Sequence, residues 1–229
     1  MDKELYGVLK TTGICPIIAT TDIEAGVPAA KALVNAGLPV CEILMRGENE
    51  KMLYQVAKEV PECKVGAGSV MNLDMAKKVV DLGANFIVMP GFRKDVVEFC
   101  VKNNISVLPG CVTASELLQA MDYGINVVKF YPVYQMGGVD TLAQYNYGPF
   151  GNIEWVCTGG LNGKNFLPLL KHKWTLACGG DWMFAENNAI NEHNYEQIEK
   201  NTRRTIMDSL NYRAENRYGE KNEVDSRYV

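Results

Sequence analysis

Short apolar runs alternate with amphipathic stretches along almost the whole chain. The apolar runs predict strands over residues 14–20, 39–46, 64–67, 85–89, 105–108, 125–131, 153–157 and 175–178. The stretches between them have helical spacing. One helix opens at Asp22 as N-cap and runs to about residue 36, with Gly37 as its stop. Others are predicted over 48–60, 72–82, 93–103, 113–123 with Gly124 behind it, near 139–145, over 163–170, and opening at 181–184. Strands alternating with helices imply a parallel sheet. Eight such units in 229 residues predict an α/β chain folded as a single (β/α)8 TIM barrel. A doubly wound open sheet is the alternative. The barrel, with N- and C-terminal helices, is expected over residues 1–215, the last helix over 191–215. Residues 216–229 are polar and charged and read as a frayed tail.

Composition narrows the function classes. The apolar content of 47% is that of a globular chain, and the length is short for two full domains. A net charge of −4, with no basic stripe, gives no signal for nucleic acid. No apolar run reaches the length of a membrane span, and the opening MDKELYGVLK has no signal-peptide core. The seven cysteines contain no CxxC and mostly sit in strand-like runs, which fits reduced thiols in a cytoplasmic protein. The two histidines, His172 and His193, lack metal-ligand spacing, so neither a zinc site nor a histidine-based triad is expected.

The chemistry is concentrated in VVKFYP, residues 127–132, where Lys129 sits inside an otherwise apolar run. Desolvation disfavours the charged ammonium, and a neutral amine is the nucleophile of a Schiff-base enzyme. A lysine that snorkels from the strand end to water is the alternative. In CEILMR, residues 41–46, a period of two puts Glu42, Leu44 and Arg46 on one face. Glu42 could move protons and Arg46 could fork a carboxylate, or the two could form a structural pair.

Barrel sites gather at the C-terminal ends of strands. The third strand ends in Gly66-Ala67-Gly68-Ser69, which admits a ligand and supplies a hydroxyl, or simply turns. Arg93 follows the fourth strand as an extra cation. Thr158-Gly159-Gly160 and Gly179-Gly180-Asp181 end the seventh and eighth strands, where barrels commonly bind phosphate. Asp181 disagrees with that assignment. At about 4 Å and an effective dielectric near 20, a like-charge pair costs on the order of 4 kcal/mol. Asp181 as a helix N-cap is the other reading. A phosphate would need Arg93 or Lys164 to compensate.

With CEILMR, GAGSV, MPGF, LPGCVTASE, VVKFYP, TGG and GGDW in order over residues 10–205, the chain resembles the 2-keto-3-deoxy-6-phosphogluconate / 4-hydroxy-2-oxoglutarate aldolase family. The resemblance implies a class I aldolase that cleaves a 2-keto-4-hydroxy acid reversibly to pyruvate and an aldehyde. It implies a homotrimer with no metal or cofactor. By position, Lys129 would be the Schiff-base lysine and Glu42 the general acid/base. Arg46 would bind the substrate carboxylate, with Ser69 in place of the family's usual threonine. Gly159 and Gly160 match phosphate-binding backbone; Asp181, Gly47 and Val133 depart from the pattern. The competing readings are a ribulose-phosphate-type barrel isomerase or decarboxylase, and a non-catalytic sugar-acid-binding relative.

Overall fold

The computed structural model describes residues 1–216. A first helix, α1 (Lys3–Thr12), is N-capped by Asp2, whose side chain accepts from the Leu5 amide. Eight parallel strands follow: β1 (Ile14–Ile18), β2 (Val40–Leu44), β3 (Lys64–Gly68), β4 (Phe86–Val88), β5 (Ser106–Leu108), β6 (Val127–Phe130), β7 (Glu154–Thr158) and β8 (Thr175–Gly180). Their order is β5-β4-β3-β2-β1-β8-β7-β6. The two ends of that order meet just beyond β5. The Lys129 N–H donates to Pro109 O at 2.9 Å, and the Lys129 carbonyl accepts from the Cys111 N–H at 2.9 Å. That closure makes the sheet the expected (β/α)8 barrel and excludes the open, doubly wound alternative.

Helices cover the outside: α2 (Gly26–Asn35), α3 (Asn49–Glu59), α4 (Leu73–Asp81), α5 (Lys94–Lys102), α6 (Ala114–Asp122), α7 (Gly138–Tyr147), α8 (Trp182–Ala185) and α9 (Tyr195–Asn216). Their starts follow local chemistry. Asn72 caps α4 by accepting from the Met75 amide, and Thr113 and Glu116 form a capping box on α6. Asp22 caps a 3-10 turn, Ile23–Ala25, that leads into α2. No helix among the described residues is long and apolar enough to cross a membrane.

Several predicted bounds shift by a few residues, and two of the differences have a clear local cause. The strand expected over 39–46 ends at Leu44, because the Arg46 N–H turns back to Leu44 O at 2.9 Å and Gly47 follows at φ +55°. The helix expected over 163–170 is only a 3-10 segment, Leu167–Lys171. Pro168 lacks the amide an α-helix would need there. Asn162 and Asn165 use their side chains on local backbone: Lys164 N donates to Asn162 Oδ1 (2.9 Å), and Asn165 Nδ2 to Gly160 O (2.9 Å). Of the expected tail, only Asn216, the last residue of α9, lies within the described residues.

The two ends of the barrel are unlike. At the N-terminal end α1 lies across the strand starts. Asp2 N donates to Ser106 Oγ (2.7 Å), the Tyr6 hydroxyl to Glu154 Oε2 (2.8 Å), and Glu4 pairs with Lys64 (2.7 Å). These partners are the first residues of β5, β7 and β3. From α9, the buried Arg213 donates to Lys10 O (2.9 Å), Thr175 O (3.3 Å) and Leu176 O (2.8 Å). Its guanidinium fills the space beside Gly13, where a Cβ would come within 2.6 Å of Cζ. Gly13 also sits at φ +73°, which a side chain disfavours. The C-terminal end is left to the loops. We expect Gly13→Ala to lower stability by about 2 kcal/mol or more. Urea unfolding checks this; an unchanged midpoint would show that α9 yields without cost.

Candidate active site

Lys129 and Glu42 lie on opposite walls of the barrel. From β2 to β6 the path runs through β1, β8 and β7, or equally through β3, β4 and β5. Phe130 packs edge-on against Trp155 at 5.4 Å, and Trp155 stacks on Tyr145 of α7. Those neighbours of Lys129 therefore face outward, and the alternation of a strand sends Lys129 inward. The two side chains meet at the centre: Lys129 Nζ is 3.6 Å from Glu42 Oε1, with side-chain exposures of 9% and 1%. The Lys129 ammonium also stands 5.6 Å from the centre of the Tyr131 ring. A lysine snorkelling to water is thereby ruled out, and so is a structural Glu42–Arg46 pair.

Glu42 can lie across the barrel because β3 is bare beside it. A Cβ on Gly68 would come within 2.1 Å of Glu42 Oε1 and 2.7 Å of its Cγ. A Cβ on Gly66 would collide with the Phe86 ring at 2.2 Å. The glycines of this run, read from sequence as room for a ligand, make room for the protein's own side chains. Burial raises the Glu42 carboxyl above its ordinary 4.5, against the opposing charge of Lys129. Its Oε1 accepts no hydrogen bond among the described residues. The arrangement is a lysine and a carboxyl facing each other in a buried interior, able to exchange protons with a molecule held between them. Cys15, on the neighbouring wall, is no rival nucleophile, since burial pushes its thiol well up.

Arg46 and Ser69 stand on the rim above the pair. The register Leu44↔Gly68 sets the ends of β2 and β3 side by side. Arg46 is exposed, and its guanidinium has no ion pair among the described residues. The turn at the end of β2, not strand alternation, places it. Ser69 is half-buried at φ +61°, a conformation that sequence reading missed.

The far rim is more mixed. Thr158 Oγ1 is buried with no hydrogen-bond partner among the described residues. Gly159 is at φ +98°, and a Cβ there would strike Pro132 at 2.9 Å. Gly179 makes room for Thr158 and Gly180 for the Trp182 indole. At Gly160 alone, with φ +68°, a Cβ would meet nothing within 4 Å. Packing thus accounts for three of the four glycines. Asp181 occupies the N-cap position of α8, yet its side chain makes no cap hydrogen bond; its backbone carbonyl accepts from Phe184 and Ala185. The helix-cap reading of its carboxylate fails. Arg93 is held by Asp95 through two bonds of 3.0 and 2.6 Å and is not brought to this rim as a counter-ion. Lys164 and Asp181 line the same cavity beside α9.

The profile of the KDPG and KHG aldolase family matches residues 5–201. The KHG/KDPG aldolase of Escherichia coli (strain K12) is 36% identical over 200 residues, covering 87% of this chain and 93% of that one. The 2-dehydro-3-deoxy-phosphogluconate aldolase of Dickeya dadantii (strain 3937) is 36% identical over 192 residues, covering 83% and 89%. Among solved structures, a KDPG aldolase from Legionella pneumophila, with pyruvate captured at low pH as a covalent carbinolamine intermediate, is similar at TM-score 0.82. It is 29% identical, over 87% of this chain and 97% of that one.

The raised Glu42 carboxyl has a pH signature. The folded state binds this proton more tightly than the unfolded chain, so the group favours folding at acid pH. That contribution is lost as pH rises from about the ordinary 4.5 through the raised folded value. Against Glu42→Gln, the parent's relative stability is expected to fall over that window in urea titrations; parallel curves would contradict it.

Proposed function

This chain belongs to the KDPG and KHG aldolase family, and we propose that it cleaves a 2-keto-4-hydroxy acid to pyruvate and an aldehyde through a Schiff base on Lys129. It is an aldolase and therefore a carbon–carbon lyase. The observation that carries the lysine assignment is the buried Lys129–Glu42 pair at the centre of the mouth. The covalent carbinolamine of pyruvate held by the Legionella relative supports the same chemistry.

In this reading the Lys129 amine attacks the C2 ketone of the substrate. Glu42 passes a proton to the departing oxygen, and the carbinolamine loses water to an iminium. The iminium draws electrons from the C3–C4 bond as Glu42 takes the proton of the C4 hydroxyl. The aldehyde leaves, and the remaining enamine takes a proton at C3. Water then attacks the imine and releases pyruvate and the free amine. Arg46 and the Ser69 hydroxyl hold the substrate carboxylate, Arg46 because its guanidinium stands at the rim with no ion pair among the described residues. We read the protein further as a cytoplasmic homotrimer. All seven cysteines are free and buried, which suits a reducing compartment, and the trimer follows from the family.

Incubation with pyruvate and borohydride is expected to leave a reduced pyruvate adduct on Lys129 by peptide mapping, and Lys129→Ala is expected to abolish pyruvate formation. A folded protein with no adduct would favour a phosphate-binding isomerase or a non-catalytic binder instead. Gly68→Ala, which pushes the Glu42 carboxyl aside, is expected to cut kcat on the order of a hundredfold while the protein stays folded. Full activity would mean that Glu42 works from another position.

A further inference from the structure

Building on the Schiff-base reading, we propose that Tyr131 is a specificity-determining residue of the same site, whose phenol hydroxyl engages a hydroxyl on the aldehyde half of the substrate. Tyr131 is the first residue beyond β6 and lies two positions after Lys129. Strand alternation turns Lys129 inward and Phe130 outward onto Trp155. Tyr131 then returns to the side of the lysine, with Nζ over its ring, 5.6 Å from the centre.

The ring is held from two sides. The Lys129 cation over its face supplies a cation–π attraction. Its edge lies beside the turn after β7, where a Cβ on Gly159 would come within 2.9 Å of Tyr131 Cδ2. Tyr131 thus stands between the reacting nitrogen and the Gly159–Gly160 turn. In the Schiff-base reading, the substrate carboxylate goes to Arg46 and Ser69, beyond β2 and β3. The rest of a chain bonded to Nζ then leaves toward β6 and β7, along the Tyr131 ring.

The hydroxyl of that ring is available. Tyr131 is 44% exposed, and its hydroxyl makes no hydrogen bond among the described residues. Tyr134, on the same loop, is used differently. Its hydroxyl donates to Asn165 O, and the Asn165 side chain donates to Gly160 O at 2.9 Å. Tyr134 therefore braces the Gly160 turn, while Tyr131 presents its hydroxyl beside the lysine. A phenol hydroxyl donates and accepts, as a sugar hydroxyl does. The substrate class is then a 2-keto-4-hydroxy acid whose aldehyde half carries a further hydroxyl.

The test runs the reaction in reverse. Pyruvate is added to glyceraldehyde or to propanal, which have equal carbon chains and differ in hydroxyls, by the parent and by Tyr131→Phe. The variant keeps the ring and removes only its hydroxyl. The ratio of kcat/KM for glyceraldehyde over propanal is expected to fall on the order of tenfold in Tyr131→Phe. A merely structural role would lower both rates together and leave the ratio in place. The parent is also tested for exchange of the pyruvate methyl protons in deuterium oxide, which needs the imine but no aldehyde. Exchange with an unchanged ratio, or without addition to glyceraldehyde, overturns this inference and leaves the aldolase reading standing. A parent that shows neither exchange nor addition overturns the two together.

Discussion

Lys129 closes the barrel with its backbone and turns its side chain into the site proposed for the chemistry. Its N–H and carbonyl make the two hydrogen bonds, to Pro109 and Cys111, that join β6 to the end of β5. The same residue sends its side chain to the centre of the ring, 3.6 Å from Glu42. A sheet that failed to close there would leave the amine on an edge strand, wet and without its opposing carboxyl. Closure and chemistry therefore depend on one backbone position.

Placing two ionisable groups in a dry interior is costly, since each must leave water and their attraction only partly compensates. The fold admits the pair by removing side chains around it. Gly68 gives up its Cβ to Glu42, and Gly66 gives up its own to Phe86. The raised Glu42 carboxyl is the trace of that desolvation. It is also what makes the group useful, because a carboxyl displaced from its ordinary range toward neutrality can both give and take a proton.

The proximal and distal halves of the mouth are built differently. Near β2 and β3 the groups are a guanidinium with no ion pair among the described residues and a hydroxyl, complementary to a carboxylate. Near β7 and β8 they are a carboxylate and a buried hydroxyl. Glycines that look alike in the sequence have separate reasons: Gly159 and Gly180 give way to Pro132 and Trp182, while Gly160 borders open space.

Alternating apolar runs and amphipathic stretches were enough to determine eight strands and most of their helices, because strand and helix periods are local properties of the chain, while closure of the sheet into a barrel was decided at Lys129. The lysine at 129, the carboxylate at 42 and the arginine at 46 were legible for the same reason: each is a polar residue in or beside an apolar run. The strand end at Leu44 and the short turn before Leu167 were not, because side-chain and backbone hydrogen bonds overrode the period. Which residue faces which was beyond the sequence. Glu42 meets Lys129 and not Arg46, Arg93 is taken by Asp95, and Gly68 serves Glu42. Only barrel closure brings walls four strands apart into contact, and no spacing along the chain encodes that distance.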